Sequence, residues 1–249
     1  MSISTAILAN SPLLYWKLDD ATAPVASDSS GNSNVGVYGG IFQLLVPGPE
    51  VGSTAVRLLQ AGQINTGGAT PRLVKPYTME AWVALIAPNP TNTTIVYNGN
   101  SAARGSGLVW QPLGSSANQI APVRGGIAFG TVFGSIFDNA WHQIIFSHDA
   151  ANVTVSYLDG AQQATATAQT TNAITGADKF TAGGVGAEVL YLAHVALYPA
   201  VITPAQVTTH YAANTTPQSP ATVNSITPAD LNSIDAKLAA ILGCVRRTY

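Results

Sequence analysis

The stretch from Trp141 to Thr167 limits what this chain can fold into more than any other. Two strand-like runs, Trp141 to His148 and Val153 to Leu158, are followed by Asp159-Gly160 and then by Ala161 to Thr167. Asp-Gly between two alternating runs predicts a tight type I′ hairpin, because both central residues must take positive φ. The same texture fills the first two hundred positions. Leu13 to Leu18 is an apolar, aromatic run bounded by Ser11-Pro12 and Asp19-Asp20. Thr78 to Leu85 alternates, with Met79, Ala81, Val83 and Leu85 on one face. The 23 glycines and 15 prolines punctuate the rest. Many short strands at this spacing predict an all-β fold, a sandwich or a barrel.

Helical signals are confined to the last fifty residues. Thr203-Pro204-Ala205-Gln206 opens a short helix, with Thr as cap, Pro in the first turn and Gln positioned to close a capping box. Val207 and Tyr211 share a face, and Asn214 ends the run. Residues 214–228 read as a polar, Pro-punctuated linker. Thr227-Pro228-Ala229-Asp230 repeats the cap logic and starts a second helix. Along it Leu231, Ile234, Leu238, Ile241 and Val245 fall at alternating steps of three and four, an a/d seam whose Leu-at-a, Ile-at-d pattern favours trimers or tetramers. The seam covers roughly 20–25 Å, which is marginal for an isolated helix. It must dock on sister helices, on its own sandwich or on another assembly component. The chain thus divides into a sandwich at 1–213, a linker at 214–228 and an oligomerisation or docking helix at 229–249.

Composition narrows the function. Only 9% of the residues are charged, against about 25% in a typical soluble protein. A surface made of Ser, Thr, Asn and Gln repels its neighbours weakly, which suits a chain packed among other subunits. The net charge is −2 and the one basic pair is Arg246-Arg247, so the stripe that nucleic-acid binding needs is missing. No apolar run approaches the ~20 residues of a membrane-spanning helix, and Met1-Ser2-Ile3-Ser4 does not open an export signal. The single cysteine, Cys244, excludes an intramolecular disulfide and a thiolate zinc cluster. It reads as a small apolar filler in the tail helix.

Site chemistry is sparse. The acids are mostly single and near turns, among them Asp28, Asp138, Asp149 and Asp159, and Glu80 stands alone in its strand. No run supplies the paired carboxylates of glycoside hydrolysis, and there is no Gly-x-Ser-x-Gly elbow. His142 and His148 lie about 20 Å apart on one strand, too far to share a metal ion. Asp28, Asn32 and Asn34 offer oxygen ligands for calcium in one loop, but Asp-Ser-Ser-Gly-Asn is also ordinary turn chemistry. Trp16, Trp82 and Trp141 sit in strand patterns and read as core. Trp110, with Tyr97 and Tyr38, lies near polar, Gly-rich stretches, and Trp110 is the candidate sugar platform against a core role.

Tyr15-Trp16-Lys17-Leu18-Asp19 followed by Asp28-Ser29-Ser30-Gly31-Asn32-Ser33-Asn34 resembles the opening of laminin-G-like jelly-roll domains of the concanavalin A-like superfamily. Thr78 to Val83, then Trp141-His142 through Gly160, then Tyr191 to Tyr198 leading into Ile202 to Val207 and His210 to Ala213, follow the same pattern in order. The resemblance spans about residues 4–213. It implies two antiparallel sheets packed face to face, in a family whose members bind sugars or proteins and some of which bind calcium. Val35 and the Gly186 to Leu190 stretch depart from the pattern and weaken the calcium implication. The layout, a sandwich followed by linker and helix, resembles minor tail or other virion-surface proteins of phages infecting actinobacteria. It implies a non-enzymatic structural or adhesion protein, assembled in a host cytoplasm into a virion. The partners it implies are sister subunits, other virion proteins and host-surface glycan. A cellular carbohydrate-binding module is the alternative, and a glycoside hydrolase a third reading.

Overall fold

The computed structural model describes residues 1–67, 74–85, 93–110, 119–134, 136, 138–176, 178–184 and 189–220. The predicted tail helix, with Leu231, Ile234, Leu238, Ile241 and Val245, lies outside the described residues, as does most of the linker. The strands are β1 (Leu14–Trp16), β2 (Val25–Ala26), β3 (Gly36–Pro47), β4 (Thr54–Thr66), β5 (Tyr77–Leu85), β6 (Thr93–Asn100), β7 (Arg104–Trp110), β8 (Ile120–Arg124), β9 (Ala128–Phe129), β10 (His142–His148), β11 (Thr154–Leu158), β12 (Ala161–Ala166), β13 (Lys179–Gly183) and β14 (Val189–Tyr198). Two helices flank them, α1 (Ile3–Leu8) and α2 (Pro204–Ala212). All the strand pairs are antiparallel.

The strands form one hydrogen-bonded path, β12-β11-β10-β5-β14-β4-β13-β6-β7-β8-β9, with β1 added on β14 and with β3, carrying β2, on β4. This path curls on itself into a sandwich. Its first half, β12 to β14 with β1, is the first layer, and β13 to β9 is the second. The long strands β3 and β4 pass between the layers. Their register shifts at Gly39/Ile41, opposite Gln60 and Ala61, whose φ values are 46° and 62°. Bulges of this kind bend a strand and let it change sheets. Glycine is required at the corner, since a Cβ on Gly62 would stand 2.3 Å from the Ile41 carbonyl oxygen.

Side-chain alternation fills the space between the layers. Met79, Ala81, Val83 and Leu85 of β5 point there, as the sequence pattern predicts, and meet Trp16, Leu108, Trp110, Phe146 and Phe180. Trp16 stands edge-on to Phe180, with centroids 5.5 Å apart. The predicted hairpin is present. Asp159 and Gly160 take φ of 51° and 77° between β11 and β12.

The first layer is also covered on its outer face. There Trp82, Ala84, Ile145, Tyr157 and Tyr198 pack with Ile3, Ala6 and Ile7 of α1 and with Val207 of α2. All nine residues of β5 are therefore buried. The capping box of α2 forms as its sequence predicts, Thr203 Oγ1 accepting from the Gln206 amide and Gln206 Oε1 accepting from the Thr203 amide. Helix α1 was not evident from the sequence. Its signals are Ser2, which caps the Thr5 amide, and Ile3, Ala6 and Ile7 at steps of three and four. Fully burying Ile3 and Ile7 contributes about 1.5–3 kcal/mol each. After α2, the first residues of the predicted linker lie on the sandwich. Val51 donates to the Thr216 carbonyl at 3.0 Å, and Gln218 to that of Pro49 at 3.1 Å.

Candidate ligand-binding face

The covered face holds a buried polar chain. Glu80, fully buried, takes Gln143 Nε2 on Oε1 at 2.9 Å, and Tyr198 Oη at 2.7 Å with His210 Nδ1 at 2.9 Å on Oε2. His210 Nε2 accepts from Asn10 Nδ2 at 2.6 Å, so the ring proton given to Glu80 sits on Nδ1. Gln206 Nε2 donates in turn to Asn10 Oδ1. One carboxylate thus ties α2 and the segment after α1 to the middle of the first layer. The lone acid of the Thr78 to Val83 run is a structural pin. Its partner His210 was missed by sequence reasoning, although its step of three from Val207 places it on the buried side of α2.

The Asp28 loop is likewise self-contained. Asp28 Oδ1 accepts from the Tyr15 and Ser30 amides, each at 2.9 Å, and Oδ2 from Ser30 Oγ and the Asn34 amide, each at 2.8 Å. The Nδ2 groups of Asn32 and Asn34 donate to the Leu13 carbonyl at 3.2 and 2.6 Å. The structure brings the three calcium candidates together as a loop that fastens β1. Among the described residues no group of three or more His, Cys, Asp or Glu could hold a metal ion. His142 and His148 bracket β10. Burial disfavours the charged form of His142, but hydrogen bonds to Asp159 at 2.7 Å and Asp138 at 3.0 Å outweigh it and raise its pKa.

Trp110, the candidate sugar platform, is fully buried in the inter-layer core beside Ile120 and Phe180. The core role, the other of the two readings, has a simple cause. Trp110 shares the inward side of β7 with Leu108, and Val109 takes the outward one. Tyr38 is buried with its hydroxyl on Asp20 Oδ2 at 2.8 Å.

The outer face of the second layer differs. Tyr97, Val109 and Val123 form a small apolar cluster there. Beside it lies a cleft of about 360 Å³ whose lining includes Gln63, Thr94, Tyr97, Asn100, Lys179 and Thr181. Alternation puts Gln63, Tyr97, Lys179 and Thr181 outside while Val96, Phe180 and Ala182 point into the core. Tyr97 Oη donates to the Arg104 carbonyl at 2.9 Å, and burial pushes its phenol pKa up. Asp178, which also lines the cleft, is held by Arg104 Nε at 2.6 Å and by the amide and hydroxyl of Thr175 at 2.6 and 3.1 Å. The guanidinium keeps its carboxyl below the usual range. The cleft thus offers amides, hydroxyls, an ammonium and one aromatic edge, a set that matches polyhydroxylated ligands.

A family model described as the concanavalin A-like lectin/glucanases superfamily, Laminin_G_3, matches residues 60–208. No curated protein sequence matches the chain. Solved structures share the fold. Domain 4 of AbnA, an extracellular GH43 arabinanase from Geobacillus stearothermophilus in complex with arabinotriose, superposes with a TM-score of 0.65 at 20% identity, covering 80% of this chain and 98% of that one. The binding domain of Paraclostridial Mosquitocidal Protein 1 gives 0.63 at 12% identity, over 82% of this chain and 52% of that one. Trypanosoma rangeli sialidase gives 0.60 at 13%, over 80% and 32%.

Proposed function

Since the chain belongs to the concanavalin A-like lectin/glucanases superfamily, we propose that it is a non-enzymatic adhesion or structural protein whose contact surface, for glycan or protein, is the open face of the second layer. The observation that carries this reading is the asymmetry of the sandwich. Two helices close the outer face of one layer, and the other presents a polar cleft beside an apolar cluster. That a domain of this fold is found with arabinotriose, and another is the binding domain of a mosquitocidal protein, supports a contact role. Every acidic residue among the described residues also has a holding role. Asp19 lies near Lys17, Asp20 holds Ser27 and Tyr38, Glu50 holds α1, and Asp149 holds its turn. Asp28, Glu80, Asp138, Asp159 and Asp178 are committed as described above.

The weakly charged surface and the 231–245 seam support a place in a packed assembly, a phage tail or virion surface, with sister subunits joined through the tail. A glycan array probed with the full chain tests the contact role. Binding to a restricted set of glycans, lost in Gln63→Ala with Thr181→Ala, is expected. A silent array would withdraw the glycan and leave only protein contact.

A further inference from the structure

Resting on the contact face just described, we infer that its glycan ligand is acidic, a carboxylate-bearing sugar such as a uronate or sialate. The chain as a whole is net negative, yet β3, β4, β6, β7, β8, β9 and β13 contain no Asp or Glu. Four cations lie in these strands. Arg57 is engaged over the Tyr191 ring, 5.9 Å from its centroid. Arg104 is matched by Asp178, the one acid among the described residues that line the cleft. The remaining two have no carboxylate within 4 Å among the described residues. Lys179 lines the cleft and reaches only the neutral Asn65 Oδ1, at 3.4 Å. Arg124 pairs across the sheet with Ser106, on the side that meets Tyr77 of the first layer, and donates to the Thr170 carbonyl at 3.2 Å, so it faces away from the cleft.

Asp178 does not cancel this charge. Arg104 and Thr175 surround its carboxylate, so it adds little negative field in the cleft. A cleft whose one acid is ion-paired and whose Lys179 has no carboxylate partner carries a local positive potential, which raises the local concentration of anions and favours them over neutral sugars of equal shape. The remaining lining groups, Gln63, Thr94, Asn100 and Thr181, suit the hydroxyls of any sugar, so charge is the discriminating feature.

The test is calorimetric titration of the full chain with two matched pairs: oligogalacturonate against its methyl-esterified form, and sialyllactose against lactose. The member of a pair that carries the carboxylate should bind more tightly and lose that advantage as salt is raised, as expected for exposed charges. Which pair responds identifies the source of the carboxylate. Lys179→Gln should weaken the acidic ligand about two- to five-fold, the range for an exposed ion pair, and leave the neutral one unchanged. Equal affinity for acidic and neutral members, or no effect of Lys179→Gln, would overturn the acidic assignment while the glycan reading stands. No binding by either member of both pairs would overturn both.

Discussion

Replacing Glu80 with alanine tests the architecture at its most committed point. The change leaves three buried donors without an acceptor: Tyr198 Oη, Gln143 Nε2 and His210 Nδ1, which meet the carboxylate at 2.7–2.9 Å in the native protein. A buried group left unsatisfied costs about 1–3 kcal/mol, and the three share one carboxylate, so their costs do not simply add. A loss of about 3–5 kcal/mol follows, above the cost of one unsatisfied donor and below the upper sum of three. For a chain of this size that is a fall in Tm of about 6–20 °C. Urea unfolding followed by tryptophan fluorescence suits the question, since Trp82 stacks on Tyr211 of α2 with centroids 6.0 Å apart. A cycle with His210→Ala should give a coupling of about 0.5–3 kcal/mol. A loss below about 1 kcal/mol for Glu80→Ala, or single changes that add without coupling, would refute the reasoning.

Acid should destabilise the fold from an unusually high pH. Burial, with Lys17 nearby, lowers the His194 pKa to about 3, and burial, with Lys75 nearby, lowers that of His148 to about 4. The unfolded chain takes up these protons near pH 6.5 while the folded one refuses them, so stability falls with decreasing pH by about 1.4 kcal/mol per unit for each histidine. His142, with a raised pKa, acts in the opposite direction but only above that window. Unfolding midpoints that stay flat between pH 6.5 and 4.5 would contradict this. Gly160→Ala should cost about 1–2 kcal/mol, because φ there is 77° and a Cβ would sit 3.1 Å from Tyr211; thermal melts measure it. Removing residues 229–249 should lower the oligomeric state seen by light scattering, and an unchanged number of subunits would remove the trimerising seam.

What the sequence made legible follows from which signals are local. Asp159-Gly160, the alternation of β5 and the Thr203 cap each state their structure within a few residues, and all three are present. Trp110 stays open between platform and core in the sequence because flanking polarity says nothing of which side of β7 a residue takes. A single residue of register decides that, and Val109 faces out instead. Glu80 looked isolated because its partners lie 63, 118 and 130 positions away. The cleft could not be read at all, since it gathers residues from β4, β6 and β13, joined only once the sheet curls. The short α1 was hidden by its length, with three of its six residues buried.

Amide chemical-shift mapping of the full chain during titration with an acidic oligosaccharide bears most directly on the claim that the open layer is the contact surface. The perturbed amides should cluster at Gln63, Tyr97, Gly99, Lys179 and Thr181, with those of α1 and α2 unmoved. Perturbations centred on the helix-covered face, or none at saturating sugar, would contradict it.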